Sequence, residues 1–263
     1  FADEIIVLTT GASEYEIEKQ FLEIYEKENI EIFGMFTWGI NGAFIYNGIP
    51  KDIKVVLLDE GVSTCEYKKY MSCAVGNIDF SKIKEVWMID PKISQNDKTV
   101  PEYRIALEQL FASREQFEKY LKVVNQLYGY QHEELEGDIL FFDRYLVQLN
   151  RIPIKYERFM LESLVKMAGD KCVCVKPHPS EEKGLAEWRY RGLPVTFYEN
   201  ISVPWELVVL NCIYHFKDKK EITGFPMVLM ATNTTTLFIT QTLLQTIGVE
   251  IPVIYIISLS KPR

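Results

Sequence analysis

Short, almost wholly apolar runs alternate along this chain with longer segments of helical periodicity, and this alternation constrains the fold more than any other feature. Four runs in the first half predict strands, at residues 5–10, 31–36, 54–59 and 85–90. Strands that are apolar at nearly every position suit a parallel sheet covered on both faces. The first half is therefore expected to be an α/β unit, with helices over 13–28 and 105–128.

A polar, acidic stretch over 129–138 interrupts this pattern, and we expect a domain boundary there. The α/β pattern then restarts, with strands at 138–143, 171–177, 195–200, 227–232 and 251–258 and helices over 154–168, 204–210 and 235–247. The sequence predicts two Rossmann-like domains with parallel sheets, residues 1–136 and 137–263, that face each other across a central cleft. Because Phe1 leads almost directly into a predicted strand, the first domain is expected to lack some N-terminal sequence.

Composition excludes several classes of protein. With 263 residues, 48% of them hydrophobic and 25% charged, the chain can build packed cores, which excludes a disordered, collagenous or coiled-coil protein. A net charge of −8 argues against a nucleic-acid partner bound through its phosphates. The acidic excess lies within 1–136, so an anionic ligand suits the second half better. The five cysteines show no metal-ligand spacing and indicate a reducing, cytosolic compartment.

Two loops that follow predicted strands carry candidate catalytic side chains, at the strand ends where open α/β sheets bind ligands. Asp59 and Glu60 directly follow the predicted strand KVVLL, and a carboxylate at such a strand end can serve as a general base. An ordinary acidic turn is the alternative interpretation. His178 lies between Pro177 and Pro179 after CVCV, and the two prolines hold the imidazole in one direction, as contact with a phosphate requires. A structural loop histidine is the alternative there.

Two further loops open helices. Thr234, Thr235 and Thr236 stand at a predicted helix start, where free N–H groups and the helix dipole favour a phosphate. Helix capping alone would also favour threonine. Glu206 falls in the first turn of another helix and could bind a ribose diol, although the dipole alone favours an acid there. The chain has no P-loop, GxGxxG, HExxH, GxSxG or DxD spacing.

In their order and spacing, the DEG motif, the HP motif, the helix-start glutamate and the threonine cluster resemble motifs of the bacterial sialyltransferases. These comprise the lipooligosaccharide enzymes of glycosyltransferase family 52, the capsular polysialyltransferases and the marine multifunctional enzymes. They share an acidic-acidic-Gly motif, an HP motif and a Ser/Thr pair on a GT-B-like fold. The resemblance runs from Asp59 to Thr236, with threonines where the family has serines.

The resemblance implies an inverting, metal-independent glycosyltransferase that moves sialic acid from CMP-sialic acid onto a bacterial surface glycan, lipooligosaccharide or capsule. Asp59 or Glu60, with Glu60 preferred, would be the base, and His178 would contact the CMP phosphate and protonate it as it leaves. The nucleotide-binding residues that it implies are Lys176, Pro177, His178, Glu206, Thr234, Thr235 and Thr236.

The implied partners are the CMP-sialic acid donor and a glycan acceptor, with no cofactor, metal or nucleic acid. The implied location is the cytoplasm, and both a peripheral position at the inner face of the plasma membrane and a homodimer stay open. Two other interpretations also stay open. One is a GT-B enzyme that uses a UDP-sugar, as a transferase or an epimerase, for which Lys176 and Arg144 are the candidate diphosphate ligands. The other is a non-catalytic glycan-binding or assembly protein of the same fold.

Overall fold

The structure of the chain is a computed structural model. It describes residues 16, 19–20, 22–24, 32–36, 53–59, 62–75, 80–135, 137–143, 153–179, 181–182, 184–216, 224–231 and 235–255. Contacts divide the chain into two compact units, residues 1–106 and 107–263. The predicted strand at 5–10 lies outside the described residues, and the described residues within the predicted helix 13–28 are helical.

The first unit contains a four-stranded parallel sheet in the order β1-β2-β3-β4. Its strands are β1 (Ile32–Phe36), β2 (Lys54–Leu58), β3 (Ile83–Met88) and β4 (Glu102–Arg104). Its helices are α1 (Val62–Cys65) and α2 (Tyr67–Val75), with 3₁₀ turns at Phe80–Lys82 and Pro91–Ile93. The first three strands match predicted ones, whereas the sequence gives no signal for β4, because three residues are too few to show a period.

One face of this sheet forms the core of the first unit. Val55 and Leu57 of β2 and Val86 and Met88 of β3 are all at most 1% exposed, and they cluster with the wholly buried Tyr67 of α2. Alternate residues of a strand point to the same face, so β2 and β3 together supply one apolar surface.

The second unit contains a five-stranded parallel sheet in the order β7-β6-β5-β8-β9. Its strands are β5 (Ile139–Phe142), β6 (Val173–Lys176), β7 (Val195–Phe197), β8 (Val228–Ala231) and β9 (Val253–Tyr255). Its helices are α3 (Arg114–Tyr128), α4 (Ile154–Ala168), α5 (Leu185–Arg189), α6 (Trp205–His215) and α7 (Thr235–Thr246), with a 3₁₀ turn at Leu107–Phe111.

Both faces of this second sheet are covered. Leu140 of β5 belongs to an apolar cluster with residues of α3, α6 and α7, and its neighbour Phe141 belongs to a second cluster with residues of α4 and α5. Successive residues of a central strand therefore enter two different cores, as expected for helices on both sides of a parallel sheet. The predicted α/β class with two Rossmann-like parallel sheets is confirmed. The cleft between the two units stays a prediction.

The division between the units falls before α3, whereas the sequence placed it at 136/137. The reason is that α3 packs on α6. The Phe117 and Tyr214 rings lie 5.9 Å apart, and the side-chain amides of Asn125 and Asn211 exchange hydrogen bonds of 2.7 and 2.9 Å.

None of the helices among the described residues has both the length and the apolar character that a membrane-spanning helix needs.

Candidate nucleotide site

The second sheet reverses its chain order at its centre, because β6 lies on one side of β5 and β8 on the other. Open parallel sheets bind ligands outside the carboxyl ends of the strands at such a reversal. Lys176 ends β6 there, and α7 begins a few residues after the end of β8. Lys176 and the start of α7 therefore lie at the edge of the sheet where a ligand is expected.

Lys176 is a buried lysine with few compensating contacts. The residue is only 3% exposed. Its ammonium lies 5.3 Å from the ring centroid of Tyr198, and no ion pair among the described residues includes it. Burial lowers the pKa of Lys176 to about 8, and the charge of Glu206 acts in the opposite direction. A buried cation without an ion-pair partner is costly unless an anion completes its surroundings.

Glu206 lies in the first turn of α6, directly after Pro204 and Trp205. Burial raises its pKa, whereas the charge of Lys176 and a hydrogen bond from Thr236 lower it. Glu206 thus joins Lys176 of β6 and Thr236 of α7 in one polar cluster. A carboxylate, a hydroxyl and an ammonium in one place can bind the diol and the phosphate of a nucleotide.

The first turn of α6 lies beside the first two turns of α7. The indole N–H of Trp205 donates to the Thr240 hydroxyl over 3.0 Å, and that hydroxyl donates to the Thr236 carbonyl over 2.7 Å. These contacts hold the positive ends of two helix dipoles near Lys176. Two helix N-termini and a buried ammonium together form a positive environment that favours an anion.

The HP loop, residues 177–182, follows Lys176 directly. Pro177 is buried and His178 is half-buried. The Lys176 carbonyl accepts from the Asp143 N–H over 3.0 Å, and the His178 carbonyl accepts from the Glu181 N–H over 2.9 Å. His178 is therefore carried on a turn whose start and end are both fixed by backbone hydrogen bonds.

The predicted catalytic acid motif lies in the first unit. Asp59 follows β2, and its carboxylate accepts a hydrogen bond of 2.6 Å from the backbone N–H of Ile89, just beyond β3. Asp59 thus ties together the ends of two neighbouring strands. Glu60 and Thr234 lie outside the described residues, and Thr235 is described only as the first residue of α7. The roles predicted for all of the site residues stay predictions: Asp59, Glu60, Lys176, Pro177, His178, Glu206, Thr234, Thr235 and Thr236.

Several residues at this edge were missed by the sequence reasoning. Tyr198 and Asp143 each follow a strand directly, so the strand-end rule that singled out His178 could have found them. Arg189 of α5 carries no such signal, because an arginine in a short helix is ordinarily exposed.

No group of three or more His, Cys, Asp or Glu side chains in the described part of the chain is placed to hold a metal ion. The expected absence of a metal stays a prediction.

No protein-family model matches the sequence, and no curated protein matches it. Similar solved structures include an alpha/beta-galactoside alpha-2,3-sialyltransferase from the luminous marine bacterium Photobacterium phosphoreum, with 13% identity, a TM-score of 0.49 and coverage of 92% of this chain and 84% of that one. They also include the spinosyn forosaminyltransferase SpnP, with 14% identity, a TM-score of 0.44 and coverage of 90% of this chain and 60% of that one. The chain thus spans less than two thirds of the second protein.

Proposed function

We propose that the chain is a glycosyltransferase whose second unit binds CMP-sialic acid and whose first unit supplies the base. The reaction would transfer sialic acid, with inversion, to a bacterial surface glycan of the lipooligosaccharide or capsular type. It would take place in the cytoplasm, at the inner face of the plasma membrane. The nucleotide-binding part of this proposal is supported by the described geometry, and the choice of sugar rests on the resemblance of the DEG and HP motifs.

The buried ammonium of Lys176 is the observation that carries the proposal. It lies at the carboxyl end of a parallel strand, beside two helix N-termini, with no ion-pair partner among the described residues. A monoanionic phosphate bound there would receive charge-assisted hydrogen bonds. One phosphate needs only this limited set of donors, which favours a CMP-sugar over a diphosphate donor.

The other side chains of the cluster fit the remaining parts of a nucleotide. Glu206 would accept hydrogen bonds from the two ribose hydroxyls, and Thr236, with Thr234 and Thr235, would donate to the phosphate. Pro177 would hold the HP loop so that His178 reaches the phosphate oxygen that leaves the sugar. His178 would donate a proton to this oxygen as the bond to the anomeric carbon breaks.

The acceptor hydroxyl would be deprotonated by Glu60. Asp59 is the less suitable base, because its carboxylate already accepts a hydrogen bond from the backbone of Ile89. The deprotonated oxygen would attack the anomeric carbon from the side opposite the departing phosphate, which inverts the configuration. Glu60→Gln and His178→Ala should each lower transfer by about 10²- to 10⁴-fold.

Nucleotide binding tests the proposal directly. Isothermal titration with CMP, UDP and GDP should give the tightest binding for CMP. Lys176→Met should weaken CMP binding by about 10- to 100-fold, since a charged hydrogen-bond donor is lost. Lys166→Met is the matched control, because Lys166 is an exposed lysine of α4 and belongs to no ion pair among the described residues. It should bind CMP like the wild type.

The role of Glu206 is tested with 2′-deoxy-CMP. The wild type should prefer CMP, and Glu206→Gln should remove most of that preference, because a neutral amide binds the diol less strongly than a carboxylate. Tighter binding of UDP than of CMP would contradict the donor assignment and favour a UDP-sugar enzyme. Absence of binding to all three nucleotides would favour a non-catalytic glycan-binding protein.

A further inference from the structure

A second buried cluster of charges lies beneath the HP loop. The guanidinium of Arg189 contacts three carboxylates, and all four side chains are at most 2% exposed. Its Nη1 lies 2.6 Å from an oxygen of Asp143 and 3.3 Å from one of Glu157, and its Nη2 donates to Glu181. The Tyr190 hydroxyl also donates to Asp143, over 2.9 Å. Buried charges of this kind are stable only when their geometry is fixed on every side.

Two of these carboxylates are connected to the two ends of the HP loop. Asp143 donates its backbone N–H to the carbonyl of Lys176, immediately before the loop. Glu181 donates its backbone N–H to the carbonyl of His178, within the loop. One guanidinium thus links the residues that hold the start and the end of the turn carrying His178. A planar guanidinium with several N–H donors can make such contacts at the same time, whereas an ammonium cannot maintain this geometry.

We infer that Arg189 is a positioning residue that sets the direction of the His178 imidazole through Glu181. The consequence for catalysis rests on the proposed role of His178 at the departing phosphate. Among the described residues, Arg189 contacts none of the predicted nucleotide-binding residues and no residue of the acid motif, so its effect passes through the loop. Displacing a proton donor by about 1 Å can cost about 10²-fold in rate, so a small shift of this loop is enough to slow transfer.

The cluster supplies its own matched control. Glu181 and Glu157 both contact Arg189, and both are buried, but Glu181 lies on the HP loop and Glu157 lies on α4. Glu181→Gln and Glu157→Gln each neutralise one carboxylate and keep its shape. A purely structural role predicts similar effects of the two variants on everything that is measured. A positioning role predicts that only Glu181→Gln alters His178.

The test is an NMR measurement of the imidazole signals on the folded, full chain. The chain has three histidines, and the His178 signal is assigned by its loss in His178→Ala. We expect Glu181→Gln to shift or broaden the His178 signal and to lower kcat for transfer about 10²-fold with little change in the donor KM. Glu157→Gln should leave the His178 signal and kcat as in the wild type. Arg189→Lys should reproduce Glu181→Gln.

Equal effects of Glu181→Gln and Glu157→Gln on the His178 signal, or no effect of either, would overturn the inference. This result is read without any nucleotide. Failure of the wild type to bind CMP, combined with a selective effect of Glu181→Gln on the His178 signal, would overturn the proposed function and leave the positioning role supported. The two failures are therefore distinguishable.

Discussion

Replacing Lys176 with methionine should stabilise the fold while it weakens nucleotide binding. Burial lowers the pKa of this lysine from 10.5 to about 8. Below the lower value the lysine is protonated in both the folded and the unfolded chain, and the folded state then bears a cost of about 3 kcal/mol. Methionine has a similar shape and no charge. Part of the gain is offset by the loss of the contact with the Tyr198 ring, so we expect a net gain of about 1–3 kcal/mol at neutral pH.

The lowered pKa of Lys176 also determines how the stability difference between the two proteins changes with pH. Between the folded pKa and the unfolded pKa, the unfolded chain holds a proton on Lys176 that the folded chain has lost, so the wild-type free energy of unfolding rises with pH. The advantage of Lys176→Met should therefore shrink by about 2 kcal/mol between about pH 7 and about pH 9.5. Above the unfolded pKa the cost is gone. Urea denaturation of both proteins at the two pH values measures this difference.

Lys166→Met provides the baseline for the same experiment. Its lysine is exposed, so its effect on the free energy of unfolding should stay within about 0.5 kcal/mol at both pH values. A Lys176→Met protein that is less stable than the wild type at neutral pH would refute the reasoning. So would an advantage that does not change with pH. Either result would mean that Lys176 does not bear the cost of an uncompensated buried charge.

Two further predictions concern contacts made by α6. His132 and His215 stack with ring centroids 4.2 Å apart, and burial and the charge of His215 both lower the pKa of His132. His215→Ala should therefore raise the pKa of His132 in an NMR titration. An unchanged or lower pKa would contradict this. Trp205→Phe and Thr240→Val each remove the hydrogen bond between α6 and α7 and should each cost about 1–2 kcal/mol in urea denaturation. The double variant should cost less than the sum, and strict additivity would count against the contact.

The sequence predicts the structure best where the periodicity of its hydrophobic residues matches the burial of the element they form. The helix over 154–168 and the strands around Lys176 were predicted with bounds close to the observed ones, because α4 has one apolar face and β6 is apolar throughout. The single helix expected over 105–128 is instead a 3₁₀ turn followed by α3. Ser113 separates them, since its hydroxyl accepts from the Gln116 N–H over 3.3 Å and starts a new helix.

The candidate site was predictable in part for the same reason. Residues next to strand ends, such as Lys176 and His178, can be found because strand prediction fixes where the chain leaves the sheet. The ion cluster around Arg189 could not be found, since its members come from four separate elements and its burial depends on how they pack. The stacking of His132 on His215 likewise depends on the approach of segments that are distant in sequence.

The division of the chain places the described nucleotide-site residues on one side and Asp59 on the other. Under the proposed function, the preference for a donor and the preference for an acceptor are then encoded in separate stretches of the gene. A substitution near Glu206 can change which nucleotide is accepted without altering the residues that meet the glycan. Such an enzyme can diversify its products by exchanging or mutating one stretch while the other is inherited unchanged.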